Sequence, residues 1–508
     1  MSQRPGFPPG LSWLPIGIAV LVMVGASLGA MVPHFRTQFV RAGAPGSTAS
    51  AEGPAGISGP TATGSRVLVP GQAAVAGNTG GPPGTQGQYN CAKGQNAGNT
   101  APGVTGTEIH VASTIVTTGV GKGFLGEAVY GIQAAIKLAN SSGGICGRVV
   151  TLQTDNSGWA SDVGQGEIDN YIHQGNVFAL VGEPDSEGLD AAVRAKDIDN
   201  AGIPVVGTDG MLSSQYTDPW VWPVAASTVT NMHIIVDYAY HTLGARSFGI
   251  VFDNKYKFGI EGAYAFDQEV RRLTGADVPG YSSGSRSCIQ AYCGVPIDSG
   301  DFSSNVTQFN SACSNPKPCD LVVALLEPGP METWMKQEEN NSRPWYKHLM
   351  GGEPLFDDNV GTNCTGCAGE QGQGAMGVWT GYRPAIQPFD SEPAVNTYKN
   401  ALLSVCPHCD PHNEFTEGAY IGTMLFLEAA RRVGPVLTRD ALRQELDSAT
   451  FNLGLTVPLS YPSLPHIAND SMAGFAVNST GSTFNGWTYV TTGGFLSDPA
   501  RGRDFNGQ

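Results

Sequence analysis

The sequence predicts an α/β protein: two Rossmann-like lobes with parallel sheets joined by a hinge, preceded by one transmembrane helix and a disordered linker. Three observations carry that prediction. From Glu108 onward, short β-rich runs alternate with segments of helical apolar spacing, and the pattern restarts after Trp222. Leu11–Val32 is a long apolar stretch without a charge. Between these parts the chain is dominated by Gly, Ala, Pro, Ser and Thr, with few large apolar residues.

Residues 1–10 form a short tail. Leu11–Val32 reads LSWLPIGIAVLVMVGASLGAMV, 22 residues in all. About 20 apolar residues span a bilayer core, so this segment is expected to be a membrane anchor. The small residues at Ser27–Ala30 leave a cleaved signal peptide as the alternative, which would make the body secreted. No Cys lies between this stretch and Cys91, which argues against a lipid-modified cysteine. Arg4 flanks it on one side and Arg36 and Arg41 on the other, so flanking charge does not fix its orientation. Residues 33–104 have too little apolar surface to fold and are expected to be an extended tether.

The body opens with the β-rich run Glu108–Thr114 (EIHVAST). A glycine-rich loop follows, then Glu127–Asn140 (EAVYGIQAAIKLAN), whose apolar residues recur at helical spacing. The expected order continues with a strand at Arg148–Thr154, a polar helix around Asp162–Gln174 and a strand at Val177–Val181. A helix near Leu189–Asn200 and a strand at Ile203–Val206 complete the first block. After Trp222 come a helix at Asn231–Thr242, a strand at Ser247–Phe252 and a helix at about Gly259–Leu273. A Gly/Ser/Cys-rich stretch, Gly280–Cys293, interrupts the pattern. The strand Leu321–Leu326, a helix starting at Met331, a short strand at His348–Met350 and a long helix at Glu417–Val433 follow. Such alternation implies βαβ units and sheets covered on both faces. Lobe 1 is placed at 105–228 and again at 356–445; lobe 2 is placed at 229–355, with a hinge, lobe 2 segment and tail at 446–508. In open parallel sheets ligands sit beyond the carboxyl ends of the strands, so a cleft between the lobes is the expected site.

Net charge is −16. The first 105 residues hold five basic residues and one acidic residue, which leaves −20 on the body. A body that acidic has no footprint for nucleic acid. Ten cysteines are present: Cys288 and Cys293, Cys313 and Cys319, Cys364 and Cys367, and Cys406 and Cys409 in close pairs, with Cys91 and Cys146 left over. Clustered behind an export segment, they are disulfide candidates for an oxidising compartment. The body is therefore expected outside the cell membrane, on a single-pass anchor.

The segments VTGTEIHVAST, LANSSGGICGR, VFALVGEPDS, AGIPVVGTDG, FGIVFDNKYKFGIEGA and LMGGEP, in that order, resemble the type I periplasmic binding proteins of the branched-chain amino-acid and amide receptor group. The likeness runs with gaps over about Val104–Thr492, and the tether is similar to that of membrane-anchored actinobacterial members. The resemblance implies two lobes closing on a small-molecule ligand, usually passed to an ABC permease. It implies ligand contacts from Ser186 after the third strand, from Thr208, Asp209 and Gly210 after the fourth, and from the aromatic Phe124 after the first. In the second lobe it implies Phe258 where the family has Tyr, and Glu353 for a ligand ammonium. Phe415, before the last long helix, aligns with another pocket aromatic. The hydroxyls usual around the ligand-carboxylate Ser are replaced here by Glu183, Pro184, Asp185 and Glu187. Added carboxylates weaken the case for a carboxylate ligand, and an aromatic cage with Glu353 suits a cationic or amine-bearing one.

Other chemistries have less support. Gly121, Gly123 and Gly126 have the form of a dinucleotide fingerprint, but six residues separate Thr114 from Gly121, too many for its tight first turn. The pairs Cys364–Cys367 and Cys406–Cys409 have the form of a zinc site, but their separation exceeds ribbon spacing and disulfides are the default outside the cell. No H-E-x-x-H motif is present, and no enzyme or cofactor is expected.

Overall fold

The computed structural model describes residues 95–505, except 283, 285–286, 289–292, 297–298, 315–318, 341–345, 353–375 and 481–482. The expected membrane span Leu11–Val32, Cys91, Glu353, Cys364 and Cys367 lie outside the described residues. Among the described residues no helix is long and apolar enough to cross a membrane.

The first sheet holds β1 (Glu108–Ile115), β2 (Val149–Asn156), β3 (Ala179–Val181), β4 (Val205–Val206) and β5 (Val221–Trp222). All its pairings are parallel, in the order β2-β1-β3-β4-β5. Ile109, Val111 and Ala112 of β1 and all of β3 are buried, as a sheet covered on both faces requires. The covering helices include α1 (Lys122–Leu125), α2 (Ala128–Ser141), α3 (Ser161–Gln174) and α4 (Ser186–Ala195).

The second lobe begins with α5 (Thr228–Tyr238), β6 (Phe248–Asp253) and α6 (Lys257–Thr274). Its eight-stranded sheet also contains β7 (Gly294–Val295), β8 (Cys319–Leu325), β9 (Tyr346–Gly351) and β10 (Met376–Thr380). The chain later returns to this sheet as β11 (Ser471–Thr480), β12 (Thr483–Tyr489) and β13 (Leu496–Ser497). The order is β12-β11-β10-β9-β8-β6-β7, with β13 on β11. Strands β6 to β10 are parallel, whereas β11 runs antiparallel to β10, β12 and β13. Met376–Thr380, which the sequence assigned to the return segment 356–445, is thus a strand of the second sheet. The return to the first lobe comes after it.

That return is made by α7 (Pro393–Val405), α8 (Glu414–Val433) and α9 (Arg439–Ser448). Asn413 caps α8 by accepting from the Thr416 amide at 2.8 Å, and Arg431 and Arg432 stand in its last turn, where they complement the helix dipole. Residues 414–431 of α8 are buried. Gly422 lies against Gly207 beyond β4; a Cβ on Gly422 would meet the Gly207 carbonyl oxygen at 2.5 Å, so this close approach requires glycine.

Three segments cross between the lobes. Pro223–Ser227 leaves β5, the chain after Thr380 leaves β10, and the chain before Ser471 enters β11. They bond to one another: Tyr461 Oη donates to Pro223 O at 2.8 Å, Asn469 Nδ2 to Val224 O at 3.1 Å, and the Gly381 amide to Ser471 O at 2.7 Å.

Residues 95–104, expected to belong to the tether, are docked on the body. The cause is Arg148, fully buried, whose Nε donates to Thr105 O at 2.7 Å and whose Nη2 donates to Gly98 O at 2.9 Å and Pro435 O at 3.0 Å. A buried guanidinium needs acceptors, and this polar segment supplies carbonyls. Cys406 and Cys409 form a disulfide, which takes both sulfurs away from any zinc site. Cys146, Cys293 and Cys319 are also disulfide-bonded, and no cysteine among the described residues is free.

Candidate functional site

In the first sheet β1 lies between β2 and β3, so connections leave it in opposite directions. The loops beyond the strand ends part at such a switch point and leave a crevice. Thr114 in β1 and Glu183 beyond β3 meet there: the Thr114 amide donates to Glu183 Oε2 at 3.0 Å. Burial, with Asp185 and Asp209 nearby, pushes the Glu183 carboxyl well above the usual carboxylate range. Beside it is a cavity of about 10 Å³, the space of about one water. Its walls include Glu183, Asp209, Met211, Tyr382, Glu414 and Phe415.

The next space toward the second lobe is filled by Trp159, in the loop between β2 and α3. Its side chain is fully buried. The ring stacks on Tyr256 at 4.4 Å and 14°, lies 6.0 Å from Phe258, and meets Phe124 edge-on at 5.2 Å. Phe124 in turn packs on Phe415 at 5.3 Å. Nε1 of Trp159 donates to Ser186 Oγ at 3.2 Å. Asp185, not Ser186, caps α4: its Oδ1 accepts from the Gly188 amide at 3.1 Å. That leaves the Ser186 hydroxyl facing Trp159 and, at 3.6 Å, Met211 Sδ.

Charged groups join the lobes at one side of this cluster. The Lys257 amide, at the start of α6, donates to Glu187 Oε1 at 3.0 Å, and Lys257 Nζ pairs with Asp190 of α4. Arg194 pairs with Asp190 at 2.8 Å and reaches Glu261 of α6 at 3.7 Å. The Ser213 amide donates to Glu261 Oε2 at 2.9 Å. Burial pushes Glu187 and Glu261 up to about 7 and Asp185 up to about 6.

The sequence-predicted residues thus divide. Phe124, Ser186, Phe258 and Phe415 come together around Trp159, and Asp209 lines the adjoining cavity. Thr208 and Gly210 are engaged within their own loop: Thr208 Oγ1 donates to Gln215 Oε1, the Gly210 amide contacts Thr208 Oγ1 at 3.2 Å, and Tyr216 Oη donates to Gly210 O at 2.9 Å. Glu353 lies outside the described residues. Sequence reasoning missed Trp159, Tyr256, Tyr382 and Glu414. The one signal for Trp159 was a large aromatic placed directly after Gly158, in the loop beyond the second strand.

A family model described as periplasmic binding protein matches residues 108–482. Among solved structures, the chain is similar to a fatty acid ABC transporter substrate-binding protein from Thermomonospora curvata, at 14% identity over 79% of this chain and 94% of that one, with a TM-score of 0.64. It is also similar to the branched-chain amino acid transporter substrate-binding protein LivJ from Streptococcus pneumoniae in complex with isoleucine, at 14% identity over 76% of this chain and 99% of that one, TM-score 0.59. The leucine-binding protein LivK from Thermotoga maritima matches at 16% identity over 75% and 98%, TM-score 0.59. No curated protein matches in sequence.

Proposed function

Because the chain belongs to the periplasmic binding protein family, we propose that this ligand-binding receptor works outside the cytoplasm and closes its two lobes on a small amine-bearing solute. The observation that carries the solute class is the wall of carboxylates at the switch point: Glu183, Asp209 and Glu414 line one cavity. Tyr382 adds a buried hydroxyl with no hydrogen-bond partner among the described residues. An ammonium placed here meets acceptors and the Phe124–Phe415 pair and favours ionisation of the buried acids, whereas a carboxylate solute would push their pKa values higher still. Closure follows from differential affinity, because a solute touching α4 and α6 together favours the closed lobes. In this proposal Leu11–Val32 anchors the body at the outer face of the cell membrane and the tether keeps it near an ABC permease. Ser186, Asp209, Phe124, Phe258, Phe415 and Glu353 are its proposed ligand contacts.

A thermal-shift panel tests the proposal. Amines are expected to raise the melting temperature, and carboxylic acids lacking an amine are expected not to. No shift with any amine contradicts the proposal. One observation favours a second role, a tethered sensor or surface interaction module without transport: a side chain of the protein itself already bridges the lobes.

A further inference from the structure

Trp159 occupies the point on which the predicted ligand contacts converge. Its ring touches Phe124 of the first lobe and Tyr256 and Phe258 of the second, and its N–H engages Ser186. Its backbone is in the left-handed region, with φ of 66°. A bulky residue adopts that region only at a cost that its surroundings offset. The preceding Gly158 is left-handed too, with φ of 63°. The loop is therefore shaped to aim an indole into the cleft. Two walls of the carboxylate-lined cavity adjoin this cluster: Met211 contacts Ser186, and Phe415 packs on Phe124.

We propose that Trp159 is a built-in surrogate ligand, and that the solute class of this site is a cationic amine bearing a planar aromatic group, which enters by displacing the indole. The planar group takes the slot between Phe124 and Tyr256, and the ammonium reaches the carboxylates beyond Met211 and Phe415. This rests on the receptor function proposed above and goes beyond it, since it assigns both the shape of the solute and the group it must displace. An ordinary core tryptophan would leave a pocket for any flat apolar molecule; the buried acids give this one acceptors for an ammonium.

The test compares indole, tryptamine and indole-3-acetate on Trp159→Gly. Glycine accepts the left-handed backbone freely, so the loop keeps its shape. Tryptamine is expected to bind at least about tenfold more tightly than indole, a difference of about 1.4 kcal/mol, with indole-3-acetate weakest. Equal binding of indole and tryptamine overturns the proposal. A second measurement does not need that variant to fold. Wild type and Trp159→Phe are titrated with phenethylamine, which does not emit with tryptophan, and acrylamide quenching is compared. The Trp159 contribution, taken as the difference, is expected to become quenchable as phenethylamine binds; a protected Trp159 at saturation overturns the proposal. If phenethylamine fails to bind while aliphatic amines stabilise the wild type, the surrogate fails and the receptor function stands. If no amine binds either form, both fail.

Discussion

Glu187→Gln isolates one buried carboxyl at the junction of the lobes. Glu187 is 5% exposed and receives the Lys257 amide at 3.0 Å. Burial, offset in part by the Lys257 amide and ammonium, raises its pKa from the ordinary 4.5 to about 7. The folded protein therefore holds this proton more tightly than the unfolded chain does. Stability from this group is fully present below pH 4.5 and is lost as pH rises from there through about 7. Ionising a carboxyl shifted this far costs about 3 kcal/mol, an order-of-magnitude figure. Glutamine cannot ionise, and its carbonyl oxygen still accepts the Lys257 amide. At pH 8 the variant is expected to melt above the wild type, by about 1 °C for each kcal/mol gained. At pH 4.5 the two are expected to coincide. Differential scanning calorimetry across pH 4.5 to 8 reads the difference, which cancels the parallel contributions of Glu261 and Asp185. A variant less stable than wild type at pH 8, or a difference independent of pH, refutes the reasoning.

Gly422→Ala places a methyl 2.5 Å from the Gly207 carbonyl oxygen and is expected to cost about 1–3 kcal/mol, read as a lower urea midpoint. Arg148→Met removes the donor that gathers the carbonyls of Gly98, Thr105 and Pro435. It is expected to cost about 3 kcal/mol and to make residues 95–104 sensitive to limited proteolysis, while a resistant segment would show that Arg148 does not hold it. Tyr382→Phe removes a buried hydroxyl from the cavity wall. It is expected to leave the melting temperature unchanged or higher and to weaken amine binding by about 1 kcal/mol, a factor of about five, by titration calorimetry.

The layer architecture was legible because its signals are local. EIHVAST became β1, the expected strand Ser247–Phe252 became the fully buried β6 one residue further on, and the helical spacing of EAVYGIQAAIKLAN became α2. The later strands were harder. β11 and β12 turn the second sheet antiparallel, and no connecting helix announces them. Met376–Thr380 falls in the stretch the sequence placed in the return segment; its pairing with β9 and β11 assigns it to the second sheet. At the site, the resemblance named Ser186, Phe124, Phe258 and Phe415, and these pack in one cluster with Trp159. Thr208 and Gly210 stand at equivalent positions, but Gln215 and Tyr216 draw them into the loop, a contact set by side chains several residues away. Trp159 escaped because its role depends on Tyr256 and Phe258, some hundred residues along the chain and in the other lobe. The substitution of acids for hydroxyls at Glu183–Glu187 was visible in the sequence, and the structure places Glu183 in the cavity wall.

The central claim is that the cleft selects a cationic amine. Native mass spectrometry of the full chain, equilibrated with an equimolar mixture of amines, neutral solutes and carboxylic acids of similar size, tests it most directly. The account predicts that the protein retains an amine and excludes the acids. Retention of a carboxylic acid lacking an amine, or of no solute at all, would contradict it.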